Sequence, residues 1–342
     1  MRSLPAAHAL LAALLAAYPA AAQRAVPAVH RVFTDDAAHR VLRVGVAPDV
    51  KLEVLDWGGS GPALVFLAGF INTGHVFDTF APRFTDAFHV VTLTRRGVGA
   101  SDRPEAGPYD AATLAADVKA VLDSLGIARA NLAGWSFGGT EMSYFAAAYP
   151  ERTERIVYLD SYCGPCGGGN PVQRGRPPLR PPMPRMAARD SLTPAGMMAY
   201  QRRTLGFAYP EAELRSIVQY GDGTTSYPVP QWVWQAMGRG VAHPGYDHIH
   251  APVLAIFAER SKVEQEFWWA RQMNPAEKLL AQVYVDVSTQ NRRIAQEEFQ
   301  RALPGARAEV IDGGQHAVFL SHPDQVERLM RAFLLAPADS AP

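Results

Sequence analysis

Residues 130–149 read ANLAGWSFGGTEMSYFAAAY, and this stretch is the strongest local signal in the sequence. A short apolar run leads into Gly134, Ser136 and Gly138, spaced as Gly-x-Ser-x-Gly, and an apolar segment with helical character follows. A strand, a sharp turn and a helix in this order raise the serine hydroxyl above the edge of a sheet. The first turn of the helix directs backbone N–H groups toward the same place. The stretch therefore predicts Ser136 as a nucleophile.

Apolar runs of similar length recur along the chain, and most are followed by a segment of helical period. Together with residues 130–134, they predict strands over residues 50–57, 63–68, 89–93, 156–159, 252–258 and 308–311. Runs that are apolar on both faces are typical of a parallel sheet covered by helices on both sides, and residues 112–125 predict one such helix. The sequence therefore indicates an α/β fold.

The alternation of strands and helices stops after Asp160. From residue 163 the chain is rich in Gly and Pro, and this composition forms neither a central strand nor a long helix. Further helices are predicted over residues 194–205, 211–220, 231–239 and, near the end of the chain, 324–334. We therefore predict a core formed by residues 23–160 and 248–338, with residues 161–247 inserted between two strands as a helical cap.

Composition narrows the classes of function. The 342 residues are 48% hydrophobic, which is enough for a sizeable core and excludes a disordered chain. Basic and acidic residues are balanced at 33 each, so no net charge favours nucleic acid or an anionic membrane surface. A small-molecule substrate is therefore the expected partner, and no nucleic acid is expected.

The first 23 residues have the features of a cleavable signal peptide. An early Arg precedes an apolar run too short to span a bilayer, and small residues stand at Ala20 and Ala22 before Gln23. The alternative is an uncleaved membrane anchor, but Pro19 breaks the run and no basic stop-transfer cluster follows. We predict a signal peptide over residues 1–22, no stable membrane span after cleavage, and a secreted or periplasmic location.

The two cysteines, Cys163 and Cys166, form the sequence CGPC. Export to an oxidising compartment permits a disulfide between them, and two free thiols are the alternative. The same spacing occurs in redox motifs that open a helix, but here GGGNP follows and disfavours a helix start. A redox function is therefore not predicted for this segment.

A histidine follows the last predicted strand in the sequence GGQHAVFLSHP, residues 313–323. Two glycines allow a turn that brings the His316 imidazole over the edge of the sheet, and imidazole is the natural base at neutral pH. A serine hydroxyl is a poor nucleophile until such a base accepts its proton. We predict His316 as the base for Ser136. No such placement applies to His75, His89 or His322.

Three motifs share their order and spacing with a known superfamily: RRGVGASDRP over residues 95–104, GWSFGG over 134–139 and GGQHAVFLSHP over 313–323. From about residue 50 to 335 the chain resembles the α/β-hydrolase superfamily, in the subgroup with a helical cap. The motifs are similar to its arginine and glycine turn after the fourth strand, its nucleophile elbow and its histidine loop. The resemblance implies a mostly parallel sheet with helices on both faces, an inserted helical cap, serine hydrolase activity and no cofactor.

The position of the acid that would orient the histidine differs from the position that is usual in the superfamily. The superfamily usually supplies it after the strand over 252–258, where this chain continues with Glu259, Arg and Ser. Some members of the haloalkane dehalogenase branch carry it one strand earlier, where this chain has Asp160 after IVYL. We predict Asp160 as the acid. If Asp160 instead caps the following turn, Glu264 or Glu259 takes this role.

The resemblance also implies an oxyanion hole made of two backbone N–H groups. One belongs to Phe137, directly after the nucleophile, and the other to Phe70, after the strand over 63–68. The superfamily commonly has His and Gly where this chain has Ala68 and Gly69. The backbone donor is retained, so this departure alters the support of the loop more than the hole itself.

Two further groups of residues have the composition of a binding site. His243, Asp247, His248 and His250 match no common zinc spacing, so we interpret them as a loop leading into the next strand and predict no metal site. Aromatic residues are concentrated in the predicted cap and in a helix expected after residue 258, namely Tyr227, Trp232, Trp234, Trp268 and Trp269. Most are expected in the core, with one or two lining an acyl pocket at the carboxyl edge of the sheet.

These features predict an exported hydrolase that cleaves an ester or amide bond of a small, apolar substrate through an acyl-enzyme, with a carboxylesterase favoured. A serine at the elbow argues against haloalkane dehalogenase and epoxide hydrolase chemistries, which place a carboxylate there in the same superfamily. Two alternatives remain. One is a capped fold that binds a ligand without hydrolysis, and the other is a lyase that uses the same three residues.

Overall fold

The structure, a computed structural model, describes residues 38–105, 107–161, 179–221, 224–226, 228–239 and 244–337. Its strands are β1 (Arg40–Ala47), β2 (Val50–Gly58), β3 (Ala63–Leu67), β4 (His89–Thr94), β5 (Ala130–Trp135), β6 (Thr153–Leu159), β7 (Gln219–Gly221), β8 (Thr224–Ser226), β9 (Val253–Glu259) and β10 (Arg307–Asp312). Within the described residues, eight of them form one sheet in the order β1-β2-β4-β3-β5-β6-β9-β10. The β1/β2 and β2/β4 pairs are antiparallel and the others are parallel. The predicted mostly parallel sheet is therefore confirmed.

The helices of the described residues are α1 (Ala111–Ser124), α2 (Phe137–Ala148), α3 (Ala188–Ser191), α4 (Pro194–Leu205), α5 (Glu211–Ile217), α6 (Gln231–Arg239), α7 (Val263–Glu266), α8 (Pro275–Ala302), α9 (Val318–Ser321) and α10 (Pro323–Leu334). N-cap side chains mark the start of several of these helices. The side chains of Asp110, Thr193 and Asn274 each accept a backbone N–H in the first turn of α1, α4 and α8. None of the helices in the described residues is long and apolar enough to cross a membrane.

The sheet lies between two hydrophobic layers. Its central strands are buried on both faces, and β3 is buried along its whole length. On one face, α1, α2 and the end of α8 contribute Val118, Met142, Phe145 and Phe299. On the other face, residues 74–84 and α10 contribute Phe77, Phe80, Phe84 and Met330. Helices therefore cover both faces, as the α/β pattern predicts, and the parallel strands end along one edge.

Two elements differ from the sequence-based expectation. The first, β1, was not predicted, because this edge strand exposes most of its side chains and buries Val44 alone. The helix predicted over 211–220 ends at Ile217, since Val218 is extended and β7 begins at Gln219. The β-branched pair Ile217 and Val218 loses side-chain freedom in a helix and favours extended backbone.

The segment between β6 and β9 contains α3, α4, α5, α6 and the hairpin of β7 and β8. The fold therefore has helices inserted between two strands of the sheet. The domain boundaries predicted at residues 160, 161, 247 and 248 stay a prediction. Residues 1–37 and 162–178 lie outside the described residues, and so do the predicted signal peptide and Cys163 and Cys166.

Candidate active site

Ser136 lies in a strained turn between β5 and α2. Its backbone has φ 54° and ψ −121°, a region that residues other than glycine rarely adopt. It occupies the N-cap position of α2, yet its side chain makes no capping hydrogen bond. A serine at this position ordinarily accepts a backbone N–H. The Ser136 hydroxyl is therefore available at the N-terminus of a helix, above the end of a central strand.

Close backbone contacts explain the glycines of the motif. A Cβ on Gly138 would lie 2.1 Å from the carbonyl oxygen of Leu67, at the end of β3. A Cβ on Gly134 would lie 2.7 Å from the backbone of Gly138. Both contacts are shorter than any side chain permits, so the turn requires glycine at both positions to bring α2 against the end of β3.

The structure brings Asp160 and His316 together. His316 Nδ1 lies 2.8 Å from Asp160 Oδ2, and the other carboxylate oxygen accepts the Ala258 N–H at 2.9 Å. The Asp160 side chain is 3% exposed and that of His316 is 53% exposed. A buried carboxylate with one oxygen already bound to the backbone has a fixed orientation. Asp160 therefore holds one ring nitrogen of His316 and leaves the other toward solvent.

The ends of two strands set this geometry. Asp160 directly follows β6, has φ 42°, and donates its N–H to the Ile256 carbonyl of β9 at 2.8 Å. His316 follows β10 through Gly313, whose φ of 74° is accessible to glycine at little cost. The two side chains come from strands that are separated by β9 in the sheet and meet at its carboxyl edge.

Trp135 is a residue of this site that sequence reasoning missed. It is the last residue of β5, and its indole N–H donates to the His316 carbonyl at 2.8 Å. The two rings lie 5.4 Å apart. Trp135 also packs on Gly69, where a Cβ would lie 2.8 Å from the indole ring. It therefore supports the histidine loop and the loop after β3 at once.

The alternative acids lie elsewhere. Glu264 is exposed on α7, while Glu259 ends β9 with one carboxylate oxygen buried and without a hydrogen-bond partner within the described residues. Arg260 donates to Glu266 and to the carbonyl of Gly314, so this strand end is held by a separate ion pair. The structure therefore places Asp160, and neither of these glutamates, against His316.

The two residues predicted to supply oxyanion donors are neighbours. The rings of Phe70 and Phe137 lie 5.0 Å apart in an edge-to-face arrangement. Phe137 is the first residue of α2, where a backbone N–H has no partner inside the helix. Within the described residues, neither the Phe70 nor the Phe137 N–H donates a hydrogen bond. One unused donor therefore directly follows Ser136, and the other belongs to the residue that packs on Phe137.

Trp234 of α6 is one of the predicted aromatic residues, and it packs on Phe70. Its ring packs 6.4 Å from that of Phe70, in a cluster that also contains Phe137. Trp232, on the same helix, is 36% exposed and packs on Tyr109. Helix α6 therefore contributes an aromatic side chain to the cluster that contains both predicted oxyanion residues.

The other aromatic residues lie differently. The expectation that Trp268 and Trp269 belong to a helix was wrong, because α7 ends at Glu266 and both residues lie in a turn. Three consecutive aromatic side chains from Phe267 lose rotamer freedom in a helix and disfavour its extension. Trp269 packs in the core on Phe267, whereas Trp268 is 52% exposed. Tyr227 lies outside the described residues.

The histidines near residue 248 do not form a cluster in the described part of the chain. Asp247 and His248 lie 3.5 Å apart on the surface, and His243 is not among the described residues. No group of three or more His, Cys, Asp or Glu side chains in the described residues is arranged to hold a metal ion.

A buried carboxylate links the inserted helices to the loop after β3. Glu213 of α5 is fully buried, and its oxygens accept hydrogen bonds from Asn72 Nδ2 at 2.7 Å and Thr73 Oγ1 at 2.5 Å. Burial raises the pKa of Glu213 to about 7, against the hydrogen bonds from Thr73 and Asn72 and the nearby His75, which lower it. The group therefore titrates near neutral pH.

This buried acid predicts a specific pH dependence of stability. In the unfolded chain Glu213 loses its proton near its ordinary pKa of 4.5, whereas in the folded protein it keeps the proton until about pH 7. The free energy of unfolding should therefore fall as the pH rises through this interval, by on the order of 3 kcal/mol from this group. Glu213→Gln should lack this decline, because glutamine stays neutral at every pH.

Urea unfolding of the wild type and Glu213→Gln at pH 5 and pH 8 measures how far the free energy of unfolding of each protein changes with pH. Glu211→Gln is the matched control, because Glu211 lies on the same helix with its side chain 40% exposed and pairs with Arg215. It should keep the wild-type pH dependence. Parallel pH profiles of the wild type and Glu213→Gln would contradict the account.

Comparison with known proteins identifies the family. Residues 62–323 match the family described as alpha/beta hydrolase fold. The chain therefore belongs to the α/β hydrolase fold family, as the sequence motifs indicated.

Curated relatives share parts of this region. The 2-(acetamidomethylene)succinate hydrolase of Mesorhizobium japonicum is 34% identical over 102 residues, or 30% of this chain and 36% of that protein. The 3-oxoadipate enol-lactonase 2 of Acinetobacter baylyi is 26% identical over 219 residues, or 64% of this chain and 78% of that protein. A fluoroacetate dehalogenase from a Burkholderia species is 33% identical over 107 residues, 35% of its length. The chain thus spans only about a third of the length of several relatives that it matches.

Solved structures agree on the fold. The E-2-(acetamidomethylene)succinate hydrolase has a TM-score of 0.60 at 22% identity, over 87% of this chain and 100% of that one. Carboxylesterase CesB of Bacillus subtilis has a TM-score of 0.51 at 19% identity, over 86% of this chain and 91% of that one. At such identities the likeness concerns the fold alone.

Proposed function

We propose that this chain is an exported serine hydrolase that cleaves an ester or amide bond of a small, apolar substrate, with Ser136, His316 and Asp160 as its catalytic residues. The observation that carries the proposal is the 2.8 Å contact between His316 Nδ1 and the buried Asp160 carboxylate. It occurs at the same sheet edge as a strained serine whose hydroxyl makes no capping bond. The three residues follow the chain order serine, acid, histidine of α/β-hydrolase triads.

The proposed reaction proceeds in two halves. Ser136 Oγ attacks the carbonyl carbon while His316 Nε2 accepts its proton, and the carbonyl oxygen becomes an oxyanion that the Phe70 and Phe137 N–H groups stabilise. Collapse of this intermediate releases the leaving group, which receives the proton from His316. Water then attacks the acyl-enzyme with His316 again as base, which frees the acid product and Ser136. Asp160 stabilises the imidazolium in both halves.

Ser136 and His316, which are both described residues, are not joined by a hydrogen bond in the structure. Such contacts often tighten only when substrate is bound. Asp160 holds Nδ1 as the proton donor to its carboxylate, which leaves Nε2 as the nitrogen with a free lone pair. The tautomer that a general base requires is therefore the one that Asp160 selects.

The walls of the site support an apolar substrate. Phe70, Phe137 and Trp234 are partly buried and pack together beside the elbow. Aromatic walls bind acyl or aryl groups by burial of apolar surface. The names of two relatives, a 2-(acetamidomethylene)succinate hydrolase and an enol-lactonase, are compatible with amide or ester cleavage by this family.

A panel of p-nitrophenyl esters with rising acyl length, run beside aryl amides and lactones, tests the activity. We expect hydrolysis of short apolar esters, with a burst of p-nitrophenol no larger than the enzyme concentration, because the acyl-enzyme accumulates. A protein that neither hydrolyses any member nor reacts with a fluorophosphonate would support the ligand-binding alternative. Fluorophosphonate labelling without hydrolysis of any member would support a lyase.

The proposed export rests on the first 23 residues, which lie outside the described part of the structure. Small residues at Ala20 and Ala22 suit cleavage before Gln23. Intact-mass measurement of protein from the exported fraction should give a mature N-terminus near Gln23. Recovery of protein that still begins with Met1 would refute cleavage.

A further inference from the structure

A buried ion pair joins the two segments that contain Phe70 and Phe137. Arg95 follows β4 and Glu141 lies in α2, and their side chains are 3% and 4% exposed. Arg95 Nη2 donates to Glu141 Oε2 at 2.9 Å, and Nε donates to the same oxygen at 3.3 Å. The pair therefore fixes the turn after β4 against the helix that begins at Phe137.

The remaining donors of Arg95 bind the loop after β3. Nη2 donates to the Ala68 carbonyl at 2.6 Å, and Nη1 donates to the carbonyls of Gly69 and, at 2.9 Å, Phe70. A guanidinium carries five N–H donors in one plane, and each of them has an acceptor here. The guanidinium carbon also lies 5.1 Å from the centre of the Phe137 ring. One side chain thus contacts both oxyanion residues.

The Gly69 carbonyl determines the direction of the Phe70 N–H. The two groups belong to one planar trans peptide unit, in which C=O and N–H point in opposite directions. While Arg95 binds the Gly69 carbonyl, the Phe70 N–H therefore points away from Arg95. If this peptide unit rotated, a carbonyl oxygen would replace the N–H donor and would repel a developing oxyanion.

We propose that Arg95 and Glu141 are positioning residues that hold the two oxyanion donors at a fixed separation and direction. The inference rests on the proposed hydrolase function. It explains how the loop is supported although Ala68 and Gly69 stand where the family commonly has His and Gly. Since the oxyanion exists only near the transition state, the pair contributes to kcat more than to KM.

A neighbouring ion pair provides a matched control. Arg96 donates from Nε and Nη2 to Asp117 at 2.6 and 2.5 Å, and both side chains are 4% exposed. Arg96 makes no contact with residues 68–70 among the described contacts. Arg95→Lys and Arg96→Lys therefore remove equally buried guanidinium groups, and only the first removes support of the oxyanion loop. Lysine keeps the charge but offers three donors from a single nitrogen.

The experiment measures melting temperature, kcat and KM for a p-nitrophenyl ester, the rate of fluorophosphonate labelling, and the affinity for a trifluoromethyl ketone. Addition of the Ser136 oxygen to that ketone transfers the serine proton to His316 and leaves an oxyanion in the hole. We expect Arg95→Lys to lower kcat, labelling rate and ketone affinity by about 100-fold each, with little change in KM. Arg96→Lys should lower the melting temperature by a similar amount and leave kcat, the labelling rate and the ketone affinity unchanged.

The outcomes separate the two proposals. A wild-type protein that neither labels nor hydrolyses would overturn the hydrolase function and this inference with it. A wild-type protein that labels, with equal losses of kcat and ketone affinity in both arginine variants, would overturn the inference alone. If Arg95→Lys does not fold, Glu141→Gln decides, because it retains an oxygen acceptor for Arg95. It should lower kcat by about tenfold with KM unchanged, and an unaltered kcat would contradict the inference.

Discussion

Ser136→Ala is expected to lower kcat/KM for any ester substrate by about 10⁶-fold, since the hydroxyl forms the covalent intermediate. The fold should remain intact, because the Ser136 side chain makes no capping hydrogen bond and its loss leaves no partner unpaired. Steady-state kinetics with the best p-nitrophenyl ester, beside circular dichroism and thermal unfolding, measures both effects.

Ser143→Ala is the matched control for this variant. Ser143 lies on the same helix, fully buried, and its hydroxyl donates to the Gly139 carbonyl at 2.6 Å. Its replacement should cost stability by about 1 kcal/mol and leave kcat close to the wild-type value. Esterase activity that survives in purified Ser136→Ala would exclude this serine as the nucleophile.

Asp160→Asn is expected to lower the acylation rate by about 10⁴-fold. The Ala258 N–H needs an acceptor at 2.9 Å, so the amide oxygen of asparagine turns toward it. The NH₂ group then faces His316 Nδ1 and selects the tautomer with a proton on Nε2, which cannot act as the base. The amide also cannot stabilise the imidazolium cation. Stopped-flow measurement of the p-nitrophenol burst reports the acylation rate directly.

Glu264→Gln and Glu259→Gln test the alternative acids. Glu264 is exposed, and neither glutamate contacts His316. Each variant should keep an acylation rate close to that of the wild type. If Glu264→Gln were inactive and Asp160→Asn active, with both proteins folded, the acid would follow β9 and Asp160 would only cap its turn.

Elements with local signals were predictable. The glycines around Ser136 indicated the turn because close backbone contacts at Gly134 and Gly138 permit no side chain. The central strands were predictable because burial on both faces requires continuous apolar runs, as in β3. The start of α8 also has a local signal, since Asn274 and Glu277 form a capping box and Pro275 occupies the first helical position, although this helix was not predicted.

Elements that depend on distant partners were not predictable. Arg95 and Glu141 are 46 residues apart, and nothing local indicates that a charge in a turn and a charge inside an apolar helix meet in the core. Glu213 resembles an ordinary exposed helical glutamate, yet its partners Thr73 and Asn72 lie 140 and 141 residues earlier in the chain. The sequence motifs therefore led to the residues proposed as catalytic, whereas the buried side chains proposed to position them could not be found from local sequence.

Fluorophosphonate labelling followed by peptide mass spectrometry identifies the nucleophile directly. We expect one adduct per chain, on the peptide that contains Ser136, because phosphonylation by this reagent, in which the serine oxygen displaces fluoride, requires an activated serine and oxyanion donors. His316→Ala should label far more slowly, and Ser136→Ala not at all. Hydrolysis of esters by a protein that carries the adduct on another residue, or that carries no adduct, would exclude Ser136 as the nucleophile.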